Sequence, residues 1–318
     1  MDWRAAFAKY LSEQLPAATA VEVVRVGGMP AGASNETIGV DVRVTCDGVA
    51  SDIPLVLRPQ RRGGILAPYD VGRQYRIVRA LAQTDVPVPP VAWFEPTGDV
   101  LGVPFYAMYR LRCETPPLFW HEGPTGKRVQ AAAAALAKIH AVDWRGHGLD
   151  FLLPAEDVSS PIQSELALWR VKGERMGIRG ERVVELLEAY LVKNEPKDAR
   201  LGLTHGDTNA GNYLFRGSDV VAVVDWELSA LGDPRSDLGF YSALMDIFGG
   251  YADDKGGSVL SEAHAAVTGT PLHNLEYYAA FGIFRMMVVM AGWGGGGFWS
   301  GGFIVRRLDQ LLGPHWAA

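Results

Sequence analysis

The segment "LTHGDTNAGNYLF", residues 203–215, sets His205, Asp207 and Asn212 between two apolar runs, and the next apolar run, "VVAVV", leads to Asp225. If the two later runs form adjacent antiparallel strands, the loop before the first strand and the Asp after the second lie at the same end of the pair, so these side chains converge. A carboxylate and an amide oxygen suit Mg²⁺, which takes few protein oxygens and completes its shell with water and phosphate. The spacing therefore predicts a magnesium site beside a second carboxylate.

The second carboxylate has a use in this arrangement. With Asn212 and Asp225 as the metal ligands, Asp207 remains to orient an attacking hydroxyl group. An Asp, an Asn five residues later and a metal-binding Asp after the next strand are the arrangement of phosphoryl transfer in kinase-like folds. Because an ordinary Asp has a pKa of about 3.9, it is ionised at neutral pH but is a weak base, so orientation is its expected contribution. A plain surface loop of the same composition is the alternative.

The pattern of apolar residues predicts two regions. Runs of β-branched residues at 20–26, 37–45 and 52–59 predict three strands, and two more short strands are expected within 87–96 and 103–111. An amphipathic helix is expected at the N-terminus and another between the third and fourth strands. From about Pro116 onward, apart from two short strands, the pattern is helical. The sequence thus predicts a small β-rich lobe followed by a larger helical lobe, joined near residues 110–114.

Composition narrows the classes of partner. The 318 residues are 48% hydrophobic with a net charge of −6 and no basic run, which argues against a nucleic-acid partner. No export signal is visible, and the apolar run at 281–299 contains an Arg and breaks into glycines, so no membrane span is expected. The two cysteines lack metal-ligand spacing and are expected to be reduced thiols. We expect a cytoplasmic monomer or homodimer.

A wider set of motifs carries a family resemblance. The stretches "HGDTNAGNYLF" and "VVAVVDWELSALGDPRSDLGFY", with "DVGRQYRIVRAL", "GVPFYAMYRL" and "LAKIHAVDW", resemble the aminoglycoside phosphotransferase-like family. Within it, the chain is most similar to the branch of kinase-like domains associated with acyl-CoA dehydrogenases. The resemblance implies an α+β, bilobal protein-kinase-like fold. Residues 1–109 would be a nucleotide-binding lobe, with an antiparallel sheet and one helix, and residues 110–318 a helical lobe with the catalytic loop and the acceptor pocket.

The resemblance implies roles for the polar residues of the helical lobe. Asp207 matches the catalytic Asp, and Asn212 and Asp225 match the Mg²⁺ ligands. His205 looks like a brace of the catalytic loop, and Asp237 like a residue that accepts backbone N–H groups from behind that loop.

Two further residues of this lobe are ambiguous. Glu227 could support the site or contact substrate. His140, on the flank of an Ala-rich helix, is expected to form a buried hydrogen bond rather than to act in catalysis.

In the small lobe, the resemblance implies nucleotide contacts. Gly28, Ser34 and Asn35 match a hairpin that covers phosphates, since glycine lets backbone N–H groups approach phosphate oxygens. Met108 to Leu111 would form the hinge whose backbone binds the adenine edge.

Two positions depart from the kinase pattern. Arg58 stands where a Lys should end the third strand; it keeps a permanent cation that can bind phosphate. Gln74 stands where a helix Glu should pair with that cation, and it can hydrogen-bond Arg but supplies no charge. A weakened pair puts full catalytic competence in doubt, so the alternative is a pseudoenzyme that binds a nucleotide or a metabolite.

The implied activity is transfer of a phosphoryl group from a nucleoside triphosphate, ATP being favoured, with Mg²⁺, to a hydroxyl group of a small molecule. The acceptor pocket is expected from residues 233–254 and 281–303. Asp246, Asp253 and Asp254 could attract an aminoglycoside, but the apolar helix and the Trp- and Gly-rich segment 292–302, either a lid or a surface loop, favour a metabolite such as a hydroxyacyl thioester. A protein kinase is disfavoured because no long activation segment follows the metal-binding Asp.

Overall fold

The chain divides into two compact units. The structure, a computed structural model, describes residues 3–28, 37–61, 63, 69–117, 119–154, 160–248, 258–292, 307–310 and 312–313. Unit 1 comprises Met1–Gln83 and Val88–Arg112, and unit 2 comprises Thr84–Pro87 and Cys113–Ala318.

Unit 1 is built on a five-stranded antiparallel sheet. Its strands are β1 (Ala20–Gly28), β2 (Ile38–Cys46), β3 (Val49–Pro59), β4 (Val91–Glu95) and β5 (Phe105–Tyr109), in the order β1-β2-β3-β5-β4. Its helices are α1 (Trp3–Gln14) and α2 (Val71–Leu81). All seven elements lie where the apolar pattern predicts them.

The core of unit 1 explains why these elements form. Side chains at every second position of β2 and β3 are buried together with two residues of α1; they are Val40, Val42, Val44, Leu55, Leu57, Phe7 and Leu11. A period of two on the strands buries one face of the sheet, and α1 covers that face. Helix α2 begins where the Asp70 side chain accepts the Arg73 N–H at 2.8 Å, which satisfies an N–H group of the first turn.

Unit 2 is mainly helical. Its helices are α3 (Lys127–His140), α4 (Pro161–Arg175), α5 (Arg182–Lys193), α6 (Arg235–Phe248), α7 (Val259–Thr268) and α8 (Leu275–Gly292). Two small antiparallel pairs join them: β6 (Gly202–Thr204) with β9 (Ala230–Gly232), and β7 (Tyr213–Arg216) with β8 (Asp219–Val223). The pair β6–β9 was not predicted, since three-residue strands are too short to give a periodic signal. The α+β fold class is confirmed.

Helices α6 and α8 pack with their backbones in close contact. A Cβ atom on Gly239 would lie 2.1 Å from the Tyr278 carbonyl oxygen, and one on Gly282 would lie 2.4 Å from the Gly239 oxygen. Only glycine permits this approach. The aromatic residues of α8, predicted to be core rather than a ligand cage, are buried: Tyr277, Tyr278, Phe281 and Phe284.

Helix α8 is the one described helix whose length and apolar character would suffice to cross a bilayer. The sequence predicts no membrane span for the run 281–299, which overlaps the second part of this helix. Of helix α8, 78% is buried inside the protein. Core helices of soluble proteins meet the same criterion, so this observation is weak evidence for a membrane span.

Candidate active site

The hairpin β7–β8 brings the two predicted metal ligands, Asn212 and Asp225, to the same end of the strand pair. Tyr213 at the start of β7 pairs with Val223 at the end of β8, and the Val224 N–H donates to the Asn212 carbonyl at 2.9 Å. Asn212 and Asp225 therefore flank the same end of the pair. The Asn212 Nδ2 donates to the Asp207 carbonyl at 2.8 Å, which ties the loop to the hairpin.

Asp237, at the start of α6, holds this loop from behind. Its Oδ2 accepts the His205 N–H and its Oδ1 accepts the Gly206 N–H, both at 2.8 Å. The His140 Nε2 lies 3.0 Å from the same Oδ2. Burial acts to raise the pKa of Asp237, but the hydrogen bond and charge of His140, with the other donors, bring it below the usual value. Asp237 is thus an ionised, fully enclosed anchor for two consecutive peptide groups.

His205 braces the loop with both ring nitrogens. Its Nε2 lies 2.9 Å from the Val224 carbonyl, and its Nδ1 accepts the Asp207 N–H at 3.2 Å. Together these two bonds require the neutral Nε2–H tautomer, since Nδ1 must accept while Nε2 donates. The Ser229 Oγ donates to the His205 carbonyl at 3.0 Å. The ring is fully buried, so it contacts the loop and not the solvent.

Gly206 is required by the course of the loop. Its φ is +87°, in the region that glycine favours, and a Cβ atom there would lie 2.2 Å from the Leu228 carbonyl oxygen. The backbone of the segment 226–228 therefore packs directly on the loop, and it does so immediately after Asp225.

The carboxylates of Asp207 and Asp225 give the site a negative charge. Asp207 is half-buried, and burial followed by the charge of Asp225 raises its pKa, while the hydrogen bond from Asn209 Nδ2 to its Oδ1, at 2.8 Å, opposes the shift. Asp225 has a φ of +69°, which is costly for a residue other than glycine and is found more often at functional sites. A divalent cation would relieve the repulsion between the two carboxylates.

The Asn212 Oδ1 and the Asp225 carboxylate suit Mg²⁺ better than a metal ion whose ligands all come from protein side chains. Within the described residues, no group of three or more His, Cys, Asp or Glu side chains could enclose a metal ion. Since Asn212 uses Nδ2 for the loop, its Oδ1 is the hard oxygen it can offer to an ion. One amide oxygen and one carboxylate leave most of the shell to water and phosphate, as Mg²⁺ requires.

In unit 1, the structure does not pair the two residues that depart from the kinase pattern. Gln74 is 2% exposed, and its Oε1, the side-chain atom that could accept from Arg58, has no hydrogen-bond donor among the described residues. The expected Arg58–Gln74 hydrogen bond is therefore not formed. The nearly buried Arg58 donates through Nη1 to the Thr37 Oγ1 at 3.1 Å.

The other predicted nucleotide contacts are distributed through unit 1. Gly28 ends β1 opposite Ile38, and Met108 lies in β5 between β3 and β4, with Leu111 two residues beyond that strand. Ser34 and Asn35 lie outside the described residues.

The predicted acceptor segments are only partly described. Residues 249–257, with Asp253 and Asp254, and residues 293–306, which hold most of the Trp- and Gly-rich segment, lie outside the described part of the chain. The described residues 281–290 are all buried, so they form core rather than an exposed pocket wall. Glu227 is half-buried in the 3₁₀ turn after Asp225.

Sequence reasoning missed several residues that contact the loop. Asn209, Thr208 and Ser229 were not singled out, although short polar side chains close to a motif are the signal for such contacts. Arg285 and Glu165 were also missed; each is a single charge in a largely apolar stretch of helix, and Arg285 donates to the Gly206 carbonyl. Such a charge needs a partner when the helix is buried, and this signal could have identified both.

Comparison with known proteins identifies the family of the chain. Residues 29–264 match the sequence pattern of a family described as "Phosphotransferase enzyme family". The chain is 30% identical over 265 residues to acyl-CoA dehydrogenase family member 10 of Mus musculus, which covers 76% of this chain and 24% of the mouse protein. The chain therefore spans about a quarter of that relative's length.

Solved structures show the same fold. A Ralstonia eutropha protein proposed to be an aminoglycoside phosphotransferase superposes with a TM-score of 0.66 at 22% identity, covering 98% of this chain and 96% of that one. A thermostable mutant of aminoglycoside phosphotransferase APH(4)-Ia, in complex with ADP and hygromycin B, gives a TM-score of 0.57 at 14% identity, covering 98% and 99%.

Proposed function

The chain belongs to the phosphotransferase enzyme family, as its motifs predicted, and we propose that it transfers the γ-phosphoryl group of ATP to a hydroxyl group of a small molecule. The observation that carries the proposal is the anchored loop of unit 2. It presents Asp207 beside Asn212 and Asp225. Hydrogen bonds fix the backbone here: the Asp207 N–H donates to the His205 Nδ1, the Asp207 carbonyl accepts from the Asn212 Nδ2, and the Asn212 carbonyl accepts from the N–H of Val224, the residue before Asp225.

In this proposal Asp207 aligns the acceptor hydroxyl. The Asn209 amide fixes one carboxylate oxygen at 2.8 Å, so the other oxygen can receive the hydroxyl hydrogen. Asn212 Oδ1 and the Asp225 carboxylate would hold Mg²⁺, which when bound offsets charge on the transferring phosphoryl group. Alignment of a hydroxyl against a bound phosphate supplies a large part of the catalysis of phosphoryl transfer, because little covalent chemistry is asked of the protein.

Residues of unit 1 would hold the donor nucleotide. Arg58 offers a buried, permanent cation to the α- and β-phosphates, and the backbone from Met108 to Leu111 would bind the base. Ser34 and Asn35 remain predicted phosphate contacts. The ADP complex of the APH(4)-Ia relative supports an adenine nucleotide as donor. The cytoplasmic location and the monomer or homodimer also remain predictions.

For the acceptor, we favour a hydroxylated metabolite such as a hydroxyacyl thioester over an aminoglycoside. The mouse relative is named as a member of the acyl-CoA dehydrogenase family, which supports an acyl acceptor. The hygromycin B bound in the APH(4)-Ia structure supports the opposite choice. Of the acidic residues that would attract a polycation, Asp246 lies near Arg307, at 3.8 Å, which reduces its attraction for a cation.

A pseudoenzyme that binds nucleotide or metabolite is the second candidate. The observation that favours it is Gln74, whose Oε1 has no donor within the described residues and which supplies no charge to hold Arg58. The anchored loop of unit 2 is the observation against it, since a binding protein has no need of an oriented Asp207.

Two measurements test the proposal in sequence. First, ATP with Mg²⁺ should raise the melting temperature; at a ligand concentration of 100 times Kd, the stabilisation is about 2.7 kcal/mol. Asp225→Asn should remove most of the effect of Mg²⁺ and keep the effect of nucleotide alone, whereas Asp219→Asn, at the exposed start of β8, should change neither.

Second, hydroxyacyl thioesters, sugars and aminoglycosides should be screened for acceptor-dependent release of ADP. Release with a thioester would support the favoured acceptor, and release with aminoglycosides alone would overturn it. Nucleotide binding without release, with any acceptor or with water, would favour the pseudoenzyme.

A further inference from the structure

Helix α8 carries a cation at the centre of the core. Of its 18 residues only Glu276 and Arg285 are charged, and Arg285 is 0% exposed. Removing a guanidinium from water costs several kcal/mol unless the cation is paired and hydrogen-bonded. The contacts of Arg285 therefore indicate what the charge is used for.

Arg285 links four parts of unit 2. Its Nη1 donates to the Glu165 Oε1 on α4 at 3.1 Å, and its Nη2 donates to the Gly206 carbonyl of the catalytic loop. The guanidinium carbon lies 4.4 Å from the ring centre of Phe240 on α6 and 5.0 Å from that of Trp169 on α4. These rings fix the plane of the guanidinium, so both hydrogen bonds have a set direction.

Glu165 is in turn held by α6. Its Oε2 accepts the Ser236 Oγ at 2.8 Å, and the residue is 1% exposed. A chain of bonds therefore runs from the residue before Asp237 through Glu165 and Arg285 to Gly206. The loop thus receives one anchor directly from Asp237 and a second through this chain.

The Gly206 carbonyl belongs to the same peptide group as the Asp207 N–H. Arg285 holds the oxygen end of that group, and the His205 Nδ1 holds the N–H end at 3.2 Å. On the other side of Asp207, the Asn212 Nδ2 holds the carbonyl at 2.8 Å. Both peptide groups that flank Asp207 are thus fixed, and with them the direction in which its side chain leaves the backbone.

We propose that Arg285 is a positioning residue for the phosphoryl transfer, with Glu165 as its counter-ion: it holds the Gly206–Asp207 peptide group so that the Asp207 carboxylate meets the acceptor hydroxyl. This inference rests on the proposed function, because a loop that aligns no acceptor has no need of such positioning.

Stability alone does not account for the pair. Burial raises the pKa of Glu165 to about 7, although Arg285 and Ser236 act to lower it, so desolvation outweighs the pairing. Buried ion pairs can often be replaced by apolar residues of similar volume without loss of stability. An apolar pair, however, has no donor for the Gly206 carbonyl, and this donor is the feature that the charged pair adds.

The test compares three variants. Arg285→Met removes the donor, and Glu165→Gln/Arg285→Met also removes the lone carboxyl while keeping an acceptor for Ser236. Val288→Ala, one turn further along α8 and fully buried, is the control for damage to the helix. For each variant we would measure ATP turnover, KM for ATP and melting temperature.

The proposal predicts that Arg285→Met lowers kcat by about 100-fold, the effect of a small misplacement of a reacting group, with KM for ATP changed by less than about 3-fold. The double variant should recover melting temperature but not kcat. Val288→Ala should lower melting temperature and leave kcat within about 2-fold of wild type. Recovery of kcat in the double variant, or an equal loss of kcat in Val288→Ala, would overturn the proposal.

A second readout separates this proposal from the proposed function. If the wild-type protein turns over no substrate, the proposed function fails and Arg285 holds no catalytic residue in place. Hydrogen exchange then decides whether Arg285 fixes the loop at all. Amides of residues 205–207 should exchange faster in Arg285→Met than in Val288→Ala, and equal exchange in the two variants would contradict even the structural part of the inference.

Discussion

The catalytic loop in unit 2 and the Arg58–Gln74 region in unit 1 are built in opposite ways. In the loop, the N–H and C=O groups of His205 and Gly206 are each bonded to a side chain, and Asp237 alone accepts two of them. In unit 1, Gln74 is equally buried, yet its Oε1 has no donor among the described residues. In the loop, side chains satisfy every backbone polar group of two consecutive buried residues, whereas in unit 1 a buried side-chain acceptor lacks a donor.

The difference indicates that the protein holds the side chains of the catalytic loop in fixed positions, but not those of the Arg58–Gln74 region. Buried backbone groups that are all hydrogen-bonded to side chains are held in one conformation, so removal of one partner is costly. A buried acceptor without a donor contributes nothing to rigidity and weakens its surroundings. We therefore expect large effects of substitution around the loop and small effects at Gln74.

Asp237→Asn should produce the largest loss. The amide nitrogen of Asn would replace one accepting oxygen and face the N–H group of His205 or Gly206, so that buried donor would have no acceptor. We expect a loss of about 4 kcal/mol in the free energy of unfolding, with loss of turnover. Urea denaturation measures this loss. Asp198→Asn, at a carboxylate whose side chain is 58% exposed, is the matched control and should cost less than about 1 kcal/mol.

Gly206→Ala should cost about 3 kcal/mol, since a Cβ atom adds a collision with the Leu228 carbonyl to the cost of a left-handed conformation. Gly217→Ala supplies the control, because Gly217 has a φ of +65° and no atom within 4 Å of an added Cβ. That variant should lose only about 1 kcal/mol. Equal losses in denaturation experiments would show that the contact with Leu228 does not constrain the loop.

His264, on α7, should make the folded state less stable at acid pH. Its ring lies 5.4 Å from that of His140, and burial, then the charges of His140 and Arg200, lower its pKa to about 4, against the opposing effect of Asp237. Because this folded pKa lies below the unfolded value, the stability it contributes is complete above about pH 6.5 and is lost as pH falls towards 4.

Between pH 7.5 and pH 5 the loss from His264 should be about 2 kcal/mol. In His264→Phe, that part of the pH dependence should disappear, since neither ring nitrogen has a hydrogen-bond partner within the described residues. Thermal melts from pH 5 to 7.5 measure it, with the exposed His121→Gln as control. An unchanged slope in His264→Phe would refute the assignment.

Gln74 should give the smallest effects. Gln74→Leu should be neutral or stabilising by less than about 1 kcal/mol, because it removes a buried acceptor that has no described donor. Gln74→Glu should tighten ATP binding or raise turnover a few-fold if a charged partner improves the position of Arg58. Calorimetric titration and steady-state assays measure both variants. No change in Gln74→Glu would mean that other contacts, such as that with Thr37, already position Arg58.

Much of the fold could be predicted because its elements are long and periodic. The strands of unit 1 show alternation, and α6, predicted from "RSDLGFYSALMDIF", has those bounds in the structure. The pair β6–β9 could not be predicted, since each strand has three residues and their partnership depends on the tertiary fold.

The convergence of Asn212 and Asp225 followed from a local argument, because two adjacent strands determine it. The contacts of Arg285 did not. Its partners Gly206 and Glu165 are 79 and 120 residues away, on elements whose packing no periodic pattern defines. The unformed Arg58–Gln74 bond has the same origin, since the motif gives the residue types but not where each side chain is directed.

The most direct test of the account is phosphoryl transfer by Asp207→Ala. The assay would follow release of ADP from ATP and Mg²⁺ with the best acceptor from the screen, alongside nucleotide affinity and with the exposed Asp219→Ala as control. The account predicts a loss of turnover of about 100-fold or more, with ATP affinity nearly unchanged, because Asp207 aligns the acceptor and does not hold the nucleotide. Near-wild-type turnover in Asp207→Ala would contradict it.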